Sequence, residues 1–197
     1  MQNPVTRSSP LLGLLRIGTS LPSPMDWTPE EDARFRRMGA PVRAAQYQAG
    51  RWLLRRLCAA YAGVPMDAIR LNAEGAPVVT GPAGLEFLHL SLSHSGDWVV
   101  ATACSGPAGV DVERLGRPRD WPGLAGHLKL GVAGDENTVL RAWTETEARF
   151  KAGDAQDLAL WRFESPDYLG CLLAPRGVVP ELHCFGGAAP VDLVAGG

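Results

Sequence analysis

The chain has 197 residues, of which 46% are hydrophobic and 20% are charged, and its formal net charge is −2. This composition is typical of a globular protein of one domain or two small ones, long enough to bury a hydrophobic core without crosslinks. It has no apolar run of roughly eighteen residues, which excludes a membrane-spanning helix. No stretch resembles a secretory signal, and the four cysteines are widely spaced, so we expect free thiols and a cytoplasmic location.

The charges are unevenly distributed along the chain. Residues 1–71 contain ten arginines and five acidic residues, whereas the remainder contains nine basic and sixteen acidic residues. The basic first part can face phosphate groups or an acidic partner protein, or it can be the polar face of a helix. No basic run is interleaved with aromatic residues, so we expect no nucleic acid partner.

The first predicted elements are a strand over residues 11–17 and a helix that begins near Thr28. The Thr28 hydroxyl is a suitable N-cap, and Pro29 fits the first helical position. Glu31, three residues after the cap, completes a capping box, so the start of this helix is well defined by sequence.

A second, longer helix is predicted over residues 44–61, where apolar residues recur along one arc. Arg51 and Arg55 fall on the opposite side of this helix. Gln46 falls inside the apolar arc, and a polar side chain there needs a partner. It is therefore either hydrogen-bonded in the core or directed at a ligand.

Three short strands are predicted next, joined by turns. Leucines alternate with polar residues over 88–92, which indicates a half-buried strand, and a turn at 95–97 leads into a continuously apolar strand over 98–104. The following strand carries Asp111 and Glu113 two residues apart, so both carboxylates lie on one face of it.

Two adjacent carboxylates repel each other unless they are solvated or share a cation such as Mg²⁺. A helix predicted over 138–152 adds Glu147, which lies in the middle of an apolar stripe formed by Val139, Leu140, Trp143 and Phe150. Glu147 can pair with Lys151 at the rim of the stripe, or it can be a third ligand of the cation held by Asp111 and Glu113. Three inward acids favour the metal site.

A second hairpin, with its turn at 165–167, resembles the earlier one at 95–97, and each follows a long helix. Residues 181–185 are predicted to add an edge strand. We therefore predict an α+β protein of two similar halves, 1–113 and 114–197, each with a long helix packed on a small antiparallel sheet. The halves form one compact unit.

Three blocks of the sequence resemble the 4′-phosphopantetheinyl transferases of the surfactin-synthetase-activating type. The blocks are Leu92-Ser93-His94-Ser95, Gly109-Val110-Asp111-Val112-Glu113 and Trp143-Thr144-Glu145-Thr146-Glu147-Ala148-Arg149-Phe150-Lys151-Ala152. The helical stretch 50–55 is also similar to that of the family. The resemblance covers residues 43–152, and the blocks follow one another in the order and spacing of the family.

The resemblance implies a pseudo-duplicated α+β fold with the active site between its halves. It also implies Mg²⁺-dependent transfer of the phosphopantetheine group of coenzyme A to a serine of an acyl or peptidyl carrier protein, which releases adenosine 3′,5′-bisphosphate. We accordingly expect coenzyme A as substrate, a carrier protein as partner, no membrane partner and a monomeric enzyme.

Site residues follow from the matched positions. Asp111, Glu113 and Glu147 would hold Mg²⁺, which offsets the charge of the pyrophosphate, and Glu147 would also take the serine proton. Lys151 would contact the phosphates, and His94 would bind the 3′-phosphate of coenzyme A. The resemblance thus makes Glu147, Lys151 and Asp111 the catalytic residues. The other positions expected to bind coenzyme A are Ser93, Arg43, Arg51, Gln46 and Ala76.

Three positions depart from the family pattern. Gln46 stands where arginine is usual, Ala76 where lysine is usual, and Thr146 where lysine is common. Each change removes a cation near a substrate with several negative charges. We therefore expect coenzyme A to be bound more weakly or by a different set of residues. Arg36, Arg43 and Arg51 are candidates to replace the missing cations.

Two other functions are compatible with part of the pattern. The chain can be a degenerate relative that binds coenzyme A or a carrier protein without transfer, or an unrelated Mg²⁺-dependent phosphohydrolase. Retention of all three acids disfavours the first, and the spacing of the three blocks disfavours the second. Ser93 and Ser95 lack the Gly-x-Ser-x-Gly elbow of serine hydrolases, which disfavours a role as nucleophile.

Overall fold

The computed structural model describes residues 8–18, 27–130 and 135–196, and within them it has four α-helices and ten β-strands. The helices are α1 (Pro29–Arg36), α2 (Pro41–Ala62), α3 (Trp121–His127) and α4 (Glu136–Ala152). The strands are β1 (Leu11–Arg16), β2 (Arg70–Leu71), β3 (Val79–Gly81), β4 (His89–Ser95), β5 (Trp98–Cys104), β6 (Gly109–Arg114), β7 (Leu158–Ser165), β8 (Tyr168–Pro175), β9 (Glu181–Phe185) and β10 (Val194–Ala195). None of the helices in these ranges has the length and apolar character that a bilayer crossing requires. The four cysteines are free, as the sequence predicted.

Two four-stranded sheets share a core and lie between the two long helices. The strand order is β4-β5-β1-β9 in the first sheet and β10-β7-β8-β6 in the second. Helix α2 packs on the first sheet and α4 on the second. Between the sheets lies a layer of buried apolar side chains, among them Leu12, Leu14, Trp98, Val100, Val110, Val112, Phe163, Tyr168 and Leu172. The predicted α+β class is confirmed, and the duplication of one half in the other stays a prediction.

The two sheets exchange strands along the chain. β6 pairs antiparallel with β8 in the second sheet, and β9 pairs parallel with β1 at the edge of the first. The edge strand predicted over 181–185 is thus confirmed, although it makes the first sheet mixed rather than purely antiparallel. In both cases a strand from one side of the predicted division after residue 113 pairs with a strand from the other side. The division itself stays a prediction.

The predicted capping box at Thr28 is confirmed. The Thr28 hydroxyl accepts a hydrogen bond from the Glu31 N–H at 3.3 Å, and the Glu31 carboxylate accepts one from the Thr28 N–H at 2.9 Å. Arg51 and Arg55, predicted to lie opposite the apolar arc of α2, are both buried. Their guanidinium groups donate to the Glu31 carboxylate at 2.7 and 2.5 Å. The periodicity of one helix cannot show that another helix brings a buried acid to its polar side.

Helix α4 buries only part of the predicted apolar stripe, namely Val139 and Leu140. Phe150, expected in the apolar stripe, is 82% exposed, and the buried side chains of α4 are Val139, Leu140, Thr144, Ala148 and Ala152. Small side chains are selected because the backbones come very close here. A Cβ atom on Gly109 of β6 would lie 1.9 Å from the Ala148 carbonyl oxygen. The close approach brings the polar residues at the rim of α4 next to β6.

Candidate active site

The edges of the two sheets meet along β4 and β6, and serine side chains of β4 join them. The Ser93 hydroxyl donates to Asp111 Oδ1, and the Ser95 hydroxyl donates to Glu113 Oε2, both at 2.6 Å. Ser91 and Ser95 also accept hydrogen bonds from backbone N–H groups of β6, both at 3.1 Å. Ser91, Ser93 and Ser95 alternate along β4 and therefore point to the same side of the strand. Ser93, expected to bind coenzyme A, points toward Asp111.

Asp111 is a buried carboxylate with one oxygen paired and one unpaired. Its Oδ1 also accepts a hydrogen bond from Lys151 Nζ at 2.6 Å, and the same ammonium donates to the Val110 carbonyl at 3.2 Å. Its Oδ2 is buried and has no hydrogen-bond partner within the described residues. Burial raises the pKa of Asp111 above its ordinary value, although Lys151 and the Ser93 hydroxyl oppose the rise. Lys151 thus pairs with Asp111, and not with Glu147.

The two other predicted metal ligands differ in their surroundings. Glu113 accepts two hydrogen bonds from Arg119, at 3.3 Å to Oε1 and 2.5 Å to Oε2. Glu147 is half-buried one helical turn before Lys151, and its carboxylate has no hydrogen-bond or ion-pair partner in the part of the chain that the structure describes. Among these residues, no group of three His, Cys, Asp or Glu side chains is arranged to hold a metal ion.

The carboxylates of the predicted site are nevertheless the type of ligand that binds Mg²⁺. Carboxylate oxygens are the protein ligands that Mg²⁺ prefers, and it takes only one or two carboxylates beside water and phosphate oxygens. Asp111 Oδ2 is buried without a partner, and a buried carboxylate oxygen is costly unless it is bound by a donor or a cation. A cation at this position would remove that cost.

Four of the six residues expected to bind coenzyme A line two cavities, of about 220 and 440 Å³, beside α2 and β4. Arg43, Gln46 and His94 line both cavities. Sequence reasoning missed three further arginines, of which Arg34 lines the smaller cavity and Arg114 and Arg117 the larger one. The excess of arginine in residues 1–71 was a signal for Arg34, whereas no motif or periodicity pointed to Arg114 and Arg117.

Arg43 and His94 touch where the two cavities meet, with Arg43 Nη1 3.4 Å from His94 Nε2. Burial and the positive charge of Arg43 lower the pKa of His94 below its ordinary value. Both effects favour the neutral imidazole, and the guanidinium can act only as the donor in this contact. An anion placed between the two side chains would favour protonation of His94.

Gln46 combines the two roles that its position in the helix allowed. Its Nε2 donates to the Gly96 carbonyl at 2.8 Å and so ties α2 to the turn after β4. Its Oε1 is buried without a hydrogen-bond partner in the described residues, and the side chain lines both cavities. Glutamine at this position, where arginine is usual in the family, therefore links α2 to the turn after β4 and supplies no cation.

Of the three candidate replacement cations, Arg43 alone lies at the cavities without a carboxylate partner in the described residues. Arg51 lines the smaller cavity, but it is bound to Glu31 and, at 2.6 Å, to the Asn72 carbonyl. Arg36 is exposed and pairs with Asp32 at 2.9 Å.

Ala76 lies in the loop of residues 72–78, where its neighbours Gly75 and Pro77 line the smaller cavity. The Ala76 side chain is exposed, and its carbonyl accepts a hydrogen bond from Asn72 Nδ2 at 2.7 Å. Thr146 is also exposed, with its hydroxyl bonded to the Ala142 carbonyl at 2.8 Å. Neither residue supplies a charge to the cavities.

Comparison with known proteins points to one activity. The chain is 33% identical over 88 residues to the 4′-phosphopantetheinyl transferase psf-1 of Bacillus pumilus. The match covers 44% of the chain and spans only 36% of the length of that curated relative. No protein-family model matches the chain. The chain is therefore similar, over less than half of its length, to a 4′-phosphopantetheinyl transferase.

Proposed function

We propose that the chain transfers the 4′-phosphopantetheine group of coenzyme A to a serine of an acyl or peptidyl carrier protein. The observation that carries this proposal is the alternation along β4. His94 lines the basic cavities, whereas Ser93 and Ser95 on either side of it hold the acids of β6. Ser95 lines the larger cavity and also donates to Glu113, so a ligand with its phosphates in that cavity would have its reacting end near this acid.

Each residue of the site has a role in this reaction. Arg43 and His94 bind the 3′-phosphate of coenzyme A, and Lys151 contacts the pyrophosphate. The carboxylate of Glu147, unpaired in the described residues, accepts the proton of the carrier serine as its oxygen attacks phosphorus and the bond to adenosine 3′,5′-bisphosphate breaks.

Magnesium belongs to the same proposal. Asp111, Glu113 and Glu147 would hold Mg²⁺, which when bound offsets the negative charge that develops on the leaving group. The exposed arginines of residues 1–71, which do not include the buried Arg51 and Arg55, would face the carrier, whose surface around the modified serine is acidic in this class of partner.

The experiment is incubation of the chain with coenzyme A, Mg²⁺ and a panel of apo carrier proteins, followed by intact mass measurement of each carrier. A gain of one phosphopantetheine group on one carrier supports the proposal. Coenzyme A binding without any gain in carrier mass contradicts transfer and supports a binding protein instead. Breakdown of coenzyme A without a carrier indicates a phosphohydrolase.

Coenzyme A should bind more tightly as the pH falls from 8 to 6. Burial and Arg43 hold the pKa of His94 below 6.5 in the free chain, and a bound phosphate raises it, so binding takes up a proton. A rise of about one unit in pKa corresponds to about tenfold in affinity. Calorimetric titration at each pH measures this. His94→Gln should lose the pH dependence, beyond that of the phosphate itself, whereas His89→Gln, at an exposed position of the same strand, should keep it.

A further inference from the structure

Both acids of β6 are paired with cations of the protein itself, but in different ways. Asp111 gives one oxygen to Lys151 and keeps Oδ2 unpaired. Glu113 gives both oxygens to Arg119, and its Oε2 also accepts the Ser95 hydroxyl. Asp111 can therefore bind an added cation through Oδ2 without losing Lys151, whereas both oxygens of Glu113 already accept hydrogen bonds from Arg119, whose positive charge a cation at Glu113 would meet.

Arg119 belongs to the segment that connects β6 to α3. Its guanidinium lies 5.9 Å from the ring centre of Trp121, the first residue of α3. The ion pair with Glu113 is largely shielded, with side-chain exposures of 21% and 14%. Helix α3 in turn packs on α4, which carries Glu147 and Lys151. A movement of Arg119 would therefore change the surroundings of the Trp121 ring and the contacts of α3.

We propose that Arg119 is a positioning residue that competes with the divalent cation for Glu113. In the metal-free chain it neutralises Glu113 and holds the carboxylate toward the site. Because a guanidinium and a divalent ion on the same carboxylate repel each other, loading the metal releases Arg119 and the start of α3. This inference rests on the metal ligands of the proposed function.

Titration of the chain with Mg²⁺ alone, by calorimetry at fixed ionic strength, tests the competition. Arg119→Gln should bind Mg²⁺ about fivefold more tightly than the wild type, because an ion pair of this partly shielded kind no longer has to be broken. Arg117→Gln removes the same charge two residues away and should change the affinity by about twofold or less, since a charge with no contact to Glu113 acts only through screened attraction.

Tryptophan fluorescence provides a second measurement, which detects the release of Arg119 from Glu113. Mg²⁺ should change the fluorescence of the wild type through Trp121, and the change should be absent from Trp121→Phe and much reduced in Arg119→Gln. Asp111→Asn in the Arg119→Gln background should abolish binding, which locates the ion.

The possible results separate the inference from the proposed function. Equal Mg²⁺ affinities of the wild type and Arg119→Gln, with both folded by circular dichroism, overturn the inference and leave the transfer reaction standing. Failure of both to bind Mg²⁺ overturns the metal ligands of the proposed function, and the inference with them. Binding by Arg119→Gln but not by the wild type supports the competition most directly.

Discussion

Asp111→Asn is expected to lower the rate of phosphopantetheine transfer about 100-fold or more while the chain remains folded. Asparagine keeps an oxygen that accepts the hydrogen bonds of Ser93 and Lys151, but it removes the charge that would bind the cation. Loss of a single stabilising group at a developing charge costs about 100- to 1,000-fold in rate. The measurement is the initial rate of carrier mass gain at saturating coenzyme A and Mg²⁺.

The matched control is Asp157→Asn, which makes the same chemical change at a side chain that is 77% exposed. Asp157 pairs with Arg176 far from β6 in the sequence, and asparagine tolerates its positive φ. Its rate should match the wild type. The Tm of Asp111→Asn should stay within about 4 °C of the wild type, or about 1 kcal/mol. Near-normal turnover in a folded Asp111→Asn variant would refute the role of this carboxylate.

Glu31→Gln is expected to cause the largest loss of stability of any single conservative change in α1. Glu31 is fully buried and is shared by Arg51 and Arg55, which are 5% and 2% exposed. The neutral amide would leave two buried guanidinium groups without a counterion. Breaking a buried ion pair in this way costs about 3–5 kcal/mol. Urea denaturation followed by circular dichroism measures the change in unfolding free energy.

Glu74→Gln is the control, because its pair with Arg37 is exposed at 69% and 67% and should contribute about 0–1 kcal/mol. A loss of similar size in both variants would show that the buried network adds nothing special.

The pH dependence of stability provides a second check on Glu31. Burial opposes ionisation of Glu31, but the hydrogen bonds from Arg55 and the Thr28 N–H, with the charge of Arg51, hold its pKa below the ordinary value of 4.5. A lowered pKa in the folded state stabilises the protein above 4.5, and this contribution is lost as the pH falls through the lowered pKa. Glu31→Gln should lack this part of the acid destabilisation. An identical pH profile in the two proteins would contradict the assignment.

Local patterns of the sequence were enough to predict most elements and the placement of Asp111 and Glu113 on one strand. The capping box at Thr28 and the alternation around Asp111 and Glu113 depend on neighbours a few residues apart, and the structure has both features where they were expected. Gln46 was correctly recognised as a polar residue in need of a partner.

The sequence did not reveal contacts between residues that are distant from each other along the chain. The burial of Arg51 was not predicted, because nothing near it in the sequence reveals Glu31, twenty residues away on another helix. Phe150 was placed in the core because hydrophobicity alone does not show that the close approach at Gly109 requires alanine and threonine instead. Arg119 was overlooked for a different reason: Glu113 is only six residues away, but Arg119 lies in an irregular segment whose spacing does not show that its side chain turns back to the strand.

The parallel pairing of β1 with β9 has a consequence for how the molecule folds. Leu11 aligns with Glu181, so nearly the whole chain lies between two neighbouring strands. Contacts so far apart in sequence form slowly, because a long loop must close before any pairing is gained. During synthesis, β1 therefore keeps one edge unpaired until residues 181–185 have left the ribosome. The first sheet, beside which His94 and Arg43 line the cavities, is completed only then.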